Sequence, residues 1–371
     1  MRAYLFVLLV AAAVTYLTTP LVRRIARRIG AITPVRDRDV HTVPIPRLGG
    51  TAMLLGFAVA LLTASRMPFL DRSFTDTGAP WGVLLGAAAV CALGVADDLW
   101  QLDAVTKLAG QSIAGGLMAW KGVQLVSLPV AGVTILSTGV LVGLTVIAVV
   151  VTINAVNFVD GLDGLAAGMI AIAGSALFVY SYLLSKDANP GDYSSLATLM
   201  AAALVGCCLG FLPHNFNPAR IFMGDSGSML IGLLFASSTI AITGQVDPEV
   251  VSRADIVPAF FPLLPVLLPL AVLAVPLVDL LLAVVRRTRA GRAPWHPDKM
   301  HLHHRLLEIG HSHARAVLIM YAWTAIIAFG VISAFLSLST ALLVGTAAVT
   351  LAAVLTLGPL RRSRRPAEEG L

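Results

Sequence analysis

The stretch "VLVGLTVIAVVVTINAVNFVDGLDGLAAGMIAIAG", residues 140–174, decides what kind of chain this is. Two uncharged apolar runs flank "NAVNFVDGLDG" (154–164), which holds two asparagines and two aspartates. A helix that crosses a bilayer needs about 20 mostly apolar residues, so each run reads as a span and the polar joint as a membrane-surface turn. The rest of the chain agrees. Of its 371 residues 57% are hydrophobic and 12% charged, with a mean hydropathy of +0.86; soluble domains carry about 25% charged residues. This is the composition of a polytopic membrane protein.

Eleven apolar segments are long enough to be spans: 4–20, 48–65, 80–96, 104–120, 137–156, 164–184, 194–212, 228–244, 256–285, 315–336 and 339–359. The first reads as a retained start helix rather than a signal peptide, because only Arg2 precedes it and "RRIARR" follows. The ninth carries Pro258, Pro262, Pro265, Pro269 and Pro276, which predicts a broken or kinked helix. The expected fold is one all-α integral membrane domain over 1–371, with a short basic tail at 361–371. Of the 26 lysines and arginines, 20 fall on one side of this topology. By the positive-inside rule that side is cytoplasmic, with the N-terminus outside and the C-terminus inside a bacterial plasma membrane. The net charge of +6 is thereby spent on orientation, and nucleic acid is not an expected partner. Cys91, Cys207 and Cys208 lie in apolar runs and read as small hydrophobes.

Every unusual polar cluster falls on the cytoplasmic side of this topology, in loops near 36–50, 96–107, 154–164, 213–228 and 286–315. Asp97 and Asp98 end a helix, where the macrodipole disfavours acids and two adjacent carboxylates repel. Mg²⁺ with a phosphorylated substrate would relieve that repulsion, since Mg²⁺ takes one or two carboxylates plus phosphate oxygens. Lys107 is placed to meet a phosphate as a point charge. In "IFMGDSGSM", Asp225 is flanked by glycines just before an apolar helix, which suits an N-cap, an anion site or a metal ligand. Phe222 reads as core packing or as a platform for a flat base. Asn154, Asn157, Asp160 and Asp163 recur at a spacing of three, one stripe of a helix, although Gly161 and Gly164 suggest a loop. His301, His303 and His304, with Arg305 and Lys299 beside them, suit a loop that presents donors to a diphosphate or sugar. Zinc is the alternative there, without an HExxH pattern or a nearby cysteine to support it.

Taken in order, "DD" followed by Lys107, "NxxNFxDGxDGL", "FMGDSGS" and "HxHHRL" resemble the polyprenyl-phosphate N-acetylhexosamine-1-phosphate transferase family over nearly the whole chain. The resemblance implies transfer of a sugar 1-phosphate from a UDP-sugar to a membrane polyprenyl phosphate, with release of UMP and a need for Mg²⁺ (Mn²⁺ as the alternative). It implies that Asp225 holds the metal, helped by Asn157, with Asp97 and Asp98 beside metal and lipid phosphate and Asp98 as a further ligand. It assigns Asp160, Gly161, Leu162, Asp163 and Phe222 to a uridine pocket, and His301, His303, His304 and Arg305 to diphosphate and sugar. Arg47, Lys107 and Asn154 join the substrate-binding set, with Asp97, Asp98 and Asp225 as the catalytic one. The resemblance also leaves room for a homodimer.

Two branches compete within that family. "PRLGG" (46–50) with Arg47, and "HLHH" (301–304), resemble the N-acetylglucosamine branch, whose donor is UDP-GlcNAc. The alternative is the muramyl-pentapeptide branch, with "PTMGG" and three consecutive histidines. A transporter is the reading from another class, but among the carboxylates only Asp279 lies within a run, and the outer loops hold no comparable pattern.

Overall fold

The computed structural model describes residues 1–33, 44–75, 78–126, 137–188, 194–243, 310–336 and 338–357, with 285, 288–289, 291 and 306. Its helices are α1 (Arg2–Arg28), α2 (Gly49–Ala64), α3 (Asp71–Thr75), α4 (Ala79–Trp100), α5 (Ala104–Trp120) and α6 (Thr138–Val159). They continue with α7 (Leu165–Ala188), α8 (Leu196–Asn215), α9 (Gly224–Thr243), α10 (His313–Leu336) and α11 (Leu338–Leu357). Among the described residues, 7 helices are long and apolar enough to cross a membrane: α1, α4, α6, α7, α8, α9 and the Gly330-terminated first part of α10. The chain is therefore a helical, multi-pass membrane protein. Every expected apolar segment but the ninth forms a helix; 256–284, with the predicted kink, lies outside the described residues.

The bundle is organised around α9. Its apolar window is 94% buried, against 22% for α1, so α9 forms the centre and α1 faces outward. α2, α4, α6 and α8 pack around it. A buried helix must satisfy its own polar groups, and α9 does so locally. Ser237 and Ser238 both donate to Leu234 O at 2.8 Å, Thr239 donates to Phe235 O at 2.6 Å, and Thr243 to Ile240 O at 2.7 Å.

One feature departs from the all-helical expectation. Ile32–Thr33 (β1) and Ile45–Pro46 (β2) pair antiparallel, Ile32 opposite Pro46 and Thr33 opposite Ile45. β2 and the start of α2 are then stitched to the loop before α9. Phe222 N donates to Pro46 O at 2.9 Å, Gly49 N to Phe222 O at 3.1 Å and Gly50 N to Met223 O at 3.1 Å. Pro44 and Pro46 cannot extend a helix, and buried backbone donors need partners, so a short ladder replaces it.

Two glycines let neighbouring helices reach the start of α9. A Cβ on Gly50 would lie 2.2 Å from Gly227 N, and one on Gly94 of α4 would lie 2.4 Å from both N and Cα of Ser226. Both obstacles are backbone, so neither can rotate away. Gly94→Ala should force α4 from α9 and lower the melting temperature in detergent, since overpacking costs about 1–3 kcal/mol. Gly116→Ala on α5, where a Cβ meets nothing within 4 Å, should hold or raise it, a helical glycine costing about 0.5–1 kcal/mol relative to alanine. Equal melting points for the two variants would contradict backbone contact between α4 and α9.

Candidate active site

The last turn of α4 carries Asp97 and Asp98, and adjacent helical residues point in different directions. Asp98 turns into the bundle, where its side chain has no accessible surface. Its Oδ1 accepts from Asp225 N at 3.1 Å and its Oδ2 from Ser226 N at 3.3 Å. These N–H groups belong to the first turn of α9, which has no acceptors of its own. An acid placed badly at the end of α4 is thus placed well against the start of α9. Gly224 makes room: at φ +68°, a Cβ there would fall 2.3 Å from Asp98 Oδ2. Arg47 approaches from the first loop, with Nη1 3.7 Å from Asp98 Oδ1 and Nε donating to Thr33 Oγ1 at 2.6 Å.

Asp97 turns the other way. Its Oδ1 accepts from Leu102 N at 2.8 Å and its Oδ2 from Lys107 Nζ at 3.0 Å. Lys107 is delivered by the N-cap of α5: Asp103 Oδ1 accepts from Val105 N and Thr106 N, both at 2.9 Å, and Oδ2 from Thr106 Oγ1 at 2.6 Å. The same Lys107 Nζ lies 3.5 Å from Asp225 Oδ2. From α6, Asn157 Nδ2 donates to Asp225 Oδ1 at 3.2 Å and to Ser228 Oγ at 2.8 Å. Four helices therefore deliver Asp97, Lys107, Asn157 and Asp225 to one place. Two carboxylates converge there on a single cationic nitrogen, a hard-oxygen set that suits Mg²⁺ with substrate phosphates. Among the described residues no three His, Cys, Asp or Glu side chains gather into a metal site, and Mg²⁺ does not need three.

The stripe at spacing three divides. α6 ends at Val159, so Asp160 caps it and Gly161–Gly164 form a turn. Asn154 does not join the carboxylates: its Nδ2 donates to Gln111 Oε1 of α5 at 2.6 Å and to Val150 O at 2.8 Å. Asp160 keeps part of its surface accessible although it lies deep in the fold. Burial first, then the charges of Asp225 and Asp98, push its carboxyl up to about 8, with Arg47 opposing. Gly161 is exposed, whereas Leu162 and Asp163 are buried. Asp163 Oδ2 accepts from Asn217 Nδ2 at 3.1 Å and Ala219 N at 2.9 Å, which ties the turn to the loop after α8. Phe222 is half-buried at the rim of that loop. His301, His303, His304 and Arg305 lie outside the described residues.

Sequence reasoning missed Thr33, Gln111, Ser228, Asn215 and Asn217. The pair in "HNFNP" carried a signal, since two amides stand where an apolar run ends. Asn215 Oδ1 accepts from Gly164 N at 3.1 Å while its Nδ2 donates to Ile221 O at 3.0 Å. Ser228 closes the FMGDSGS motif, whereas Thr33 and Gln111 act through partners distant in sequence and carried none.

Comparison with known proteins bears on this arrangement directly. The family model described as glycosyl transferase family 4 matches residues 80–243, the segment that holds all four converging side chains. The decaprenyl-phosphate N-acetylglucosaminephosphotransferase of Mycobacterium tuberculosis is 46% identical over 98% of this chain and 90% of its own length. The protein of the same name from Mycolicibacterium smegmatis is 47% identical over the same shares. A phospho-N-acetylmuramoyl-pentapeptide-transferase of Frankia alni is 34% identical over 67% of this chain and 78% of its own. Likeness of this extent makes the chain a member of glycosyl transferase family 4.

Proposed function

We propose that this chain transfers N-acetylglucosamine 1-phosphate from UDP-GlcNAc to a membrane polyprenyl phosphate, giving polyprenyl-diphosphate-GlcNAc and UMP. This would be the first membrane step of a cell-wall or surface polysaccharide. The observation that carries the proposal is the convergence of Asp97, Lys107, Asn157 and Asp225, in a chain whose nearly full-length relatives bear the names of such enzymes. The topology that completes it has eleven spans and the N-terminus outside. This cluster then faces the cytoplasm, where UDP-sugars are made, while the polyprenyl chain stays in the plasma membrane.

The reaction exchanges one phosphoanhydride for another. An oxygen of the lipid phosphate bonds to the β-phosphorus of the donor as the α–β bridging bond breaks, and UMP leaves with the electron pair. Positioning and charge neutralisation can supply most of the acceleration. Mg²⁺ (or Mn²⁺), held by Asp225 with Asn157 beside it, would neutralise diphosphate charge when bound. Lys107 brings a positive charge between Asp97 and Asp225, ready for a phosphate oxygen. The lipid phosphate, with a second pKa of about 6, is already largely dianionic and needs little help from a base. Asp98, a catalytic and metal-ligand candidate in the sequence, has both oxygens accepting from the α9 backbone. Its role in this mechanism is to orient Asp225. The same geometry disfavours Asp98 as a covalent nucleophile.

Asp225→Asn should keep the fold, since the amide is isosteric, and lower UMP release by at least about 10²-fold, the scale of a lost electrostatic stabiliser. Turnover within a few-fold of wild type at saturating Mg²⁺ would remove Asp225 from the site.

Donor choice tests the branch. UDP-GlcNAc should be turned over and UDP-MurNAc-pentapeptide should not; comparable rates on both would overturn the branch while sparing the family.

Asp160 makes stability depend on pH. An acid raised to about 8 binds its proton more tightly in the folded chain than in the unfolded one, where its pKa is about 3.9. The stability it contributes is complete at low pH and is lost as pH rises through about 8. In EDTA, the melting temperature should fall between about pH 4 and pH 8 and level off above that, and Asp160→Asn should flatten that fall. An unchanged slope in the variant would mean that Asp160 is not the titrating group.

A further inference from the structure

The turn at 160–164 is held from a direction that its own sequence does not reveal. Gly164, at φ +77°, donates its N–H to Asn215 Oδ1 of α8. Its carbonyl oxygen accepts from the hydroxyl of Tyr321, which comes from α10 and lies 157 positions later in the chain. The tyrosine reaches the turn because α7 opens a slot for it. A Cβ on Gly168 would lie 1.9 Å from Tyr321 Cζ and 2.0 Å from its hydroxyl oxygen, so the ring rests directly on the α7 backbone. Asp163 secures the third side through Asn217 and Ala219. What stays accessible on a turn so fixed is Gly161 and part of Asp160.

We infer that Tyr321 is a positioning residue for donor binding: its hydroxyl sets the orientation in which the Asp160–Gly161 edge meets the UDP-sugar. The inference rests on the proposed reading of this turn as part of the nucleotide site. It gives α10 a function beyond spanning the membrane, because α10 follows the histidine-rich segment 296–313 in the chain. One tyrosine thus joins the helix after that segment to the turn that ends α6.

Tyr321→Phe keeps the ring on Gly168 and removes only the hydroxyl. The KM for UDP-GlcNAc should rise about fivefold to twentyfold, the range for one lost hydrogen bond with a stranded acceptor. The kcat should stay within about twofold and the KM for polyprenyl phosphate should not move, because no contact to the reacting atoms has changed. Trp323→Phe is the control for a merely structural role. It removes a different hydrogen bond of the same helix, Trp323 Nε1 to Thr356 Oγ1 at 3.2 Å, and should leave both KM values unchanged. Should Tyr321→Phe fold poorly, Gly168→Ala displaces the ring instead and should show the same rise in donor KM.

An unchanged donor KM in Tyr321→Phe, a fall in kcat alone, or an equal rise in Trp323→Phe would overturn the inference. Asp160→Asn separates this from failure of the underlying reading. If Asp160→Asn raises the donor KM and Tyr321→Phe does not, the positioning role fails and the nucleotide site stands. If Asp160→Asn leaves the donor KM unchanged, both fall.

Discussion

A buried carboxylate lying across two backbone N–H groups, Asp98 against Asp225 and Ser226, sets the geometry from which the rest of the site follows. The end of one transmembrane helix is unfavourable for an acid and the start of another is favourable, and the bundle brings the two ends together. Gly94 and Gly50 permit that approach, and Gly224 leaves space for the carboxylate. Because α9 is the most buried of the described spans, its first turn is held by surrounding helices on several sides. Asp225 inherits that rigidity, which its proposed role of holding a cation at a fixed point requires.

The remaining charges follow the same logic. Lys107 lies between Asp97 and Asp225, and Arg47 beside Asp98, so each carboxylate at the ends of α4 and α9 has a cation or backbone donors at hand. All of these groups sit at helix ends rather than at mid-span, where charge is most expensive. A lipid-linked acceptor and a water-soluble donor can meet only at such a boundary. The short ladder of β1 and β2 has its place in this scheme: it carries Arg47 inward and fastens the first loop to the segment that precedes Asp225.

How much of this could be read beforehand varies by residue. Asp225 at a helix start was legible because glycines flank it and an apolar run follows. The helices were legible because hydropathy leaves little choice within a bilayer. The division of labour between Asp97 and Asp98 was not drawn, although adjacent residues on a helix must point apart. Equal spacing of Asn154, Asn157, Asp160 and Asp163 suggested one surface, but the helix ends at Val159 and Asn154 meets Gln111. Two-residue strands are too short to leave a pattern. Tyr321 was illegible for another reason: an aromatic inside an apolar run looks like core until its hydroxyl is seen on Gly164.

The central claim is that this cluster brings both substrates together for direct transfer, with no covalent enzyme intermediate. It is tested most directly by isotope exchange between labelled UMP and unlabelled UDP-GlcNAc on the purified protein with Mg²⁺, before and after polyprenyl phosphate is added. Direct transfer allows the label to enter UDP-GlcNAc only when the lipid is present. Exchange at a comparable rate without lipid would require a sugar-phosphate held on the protein, and would contradict the account.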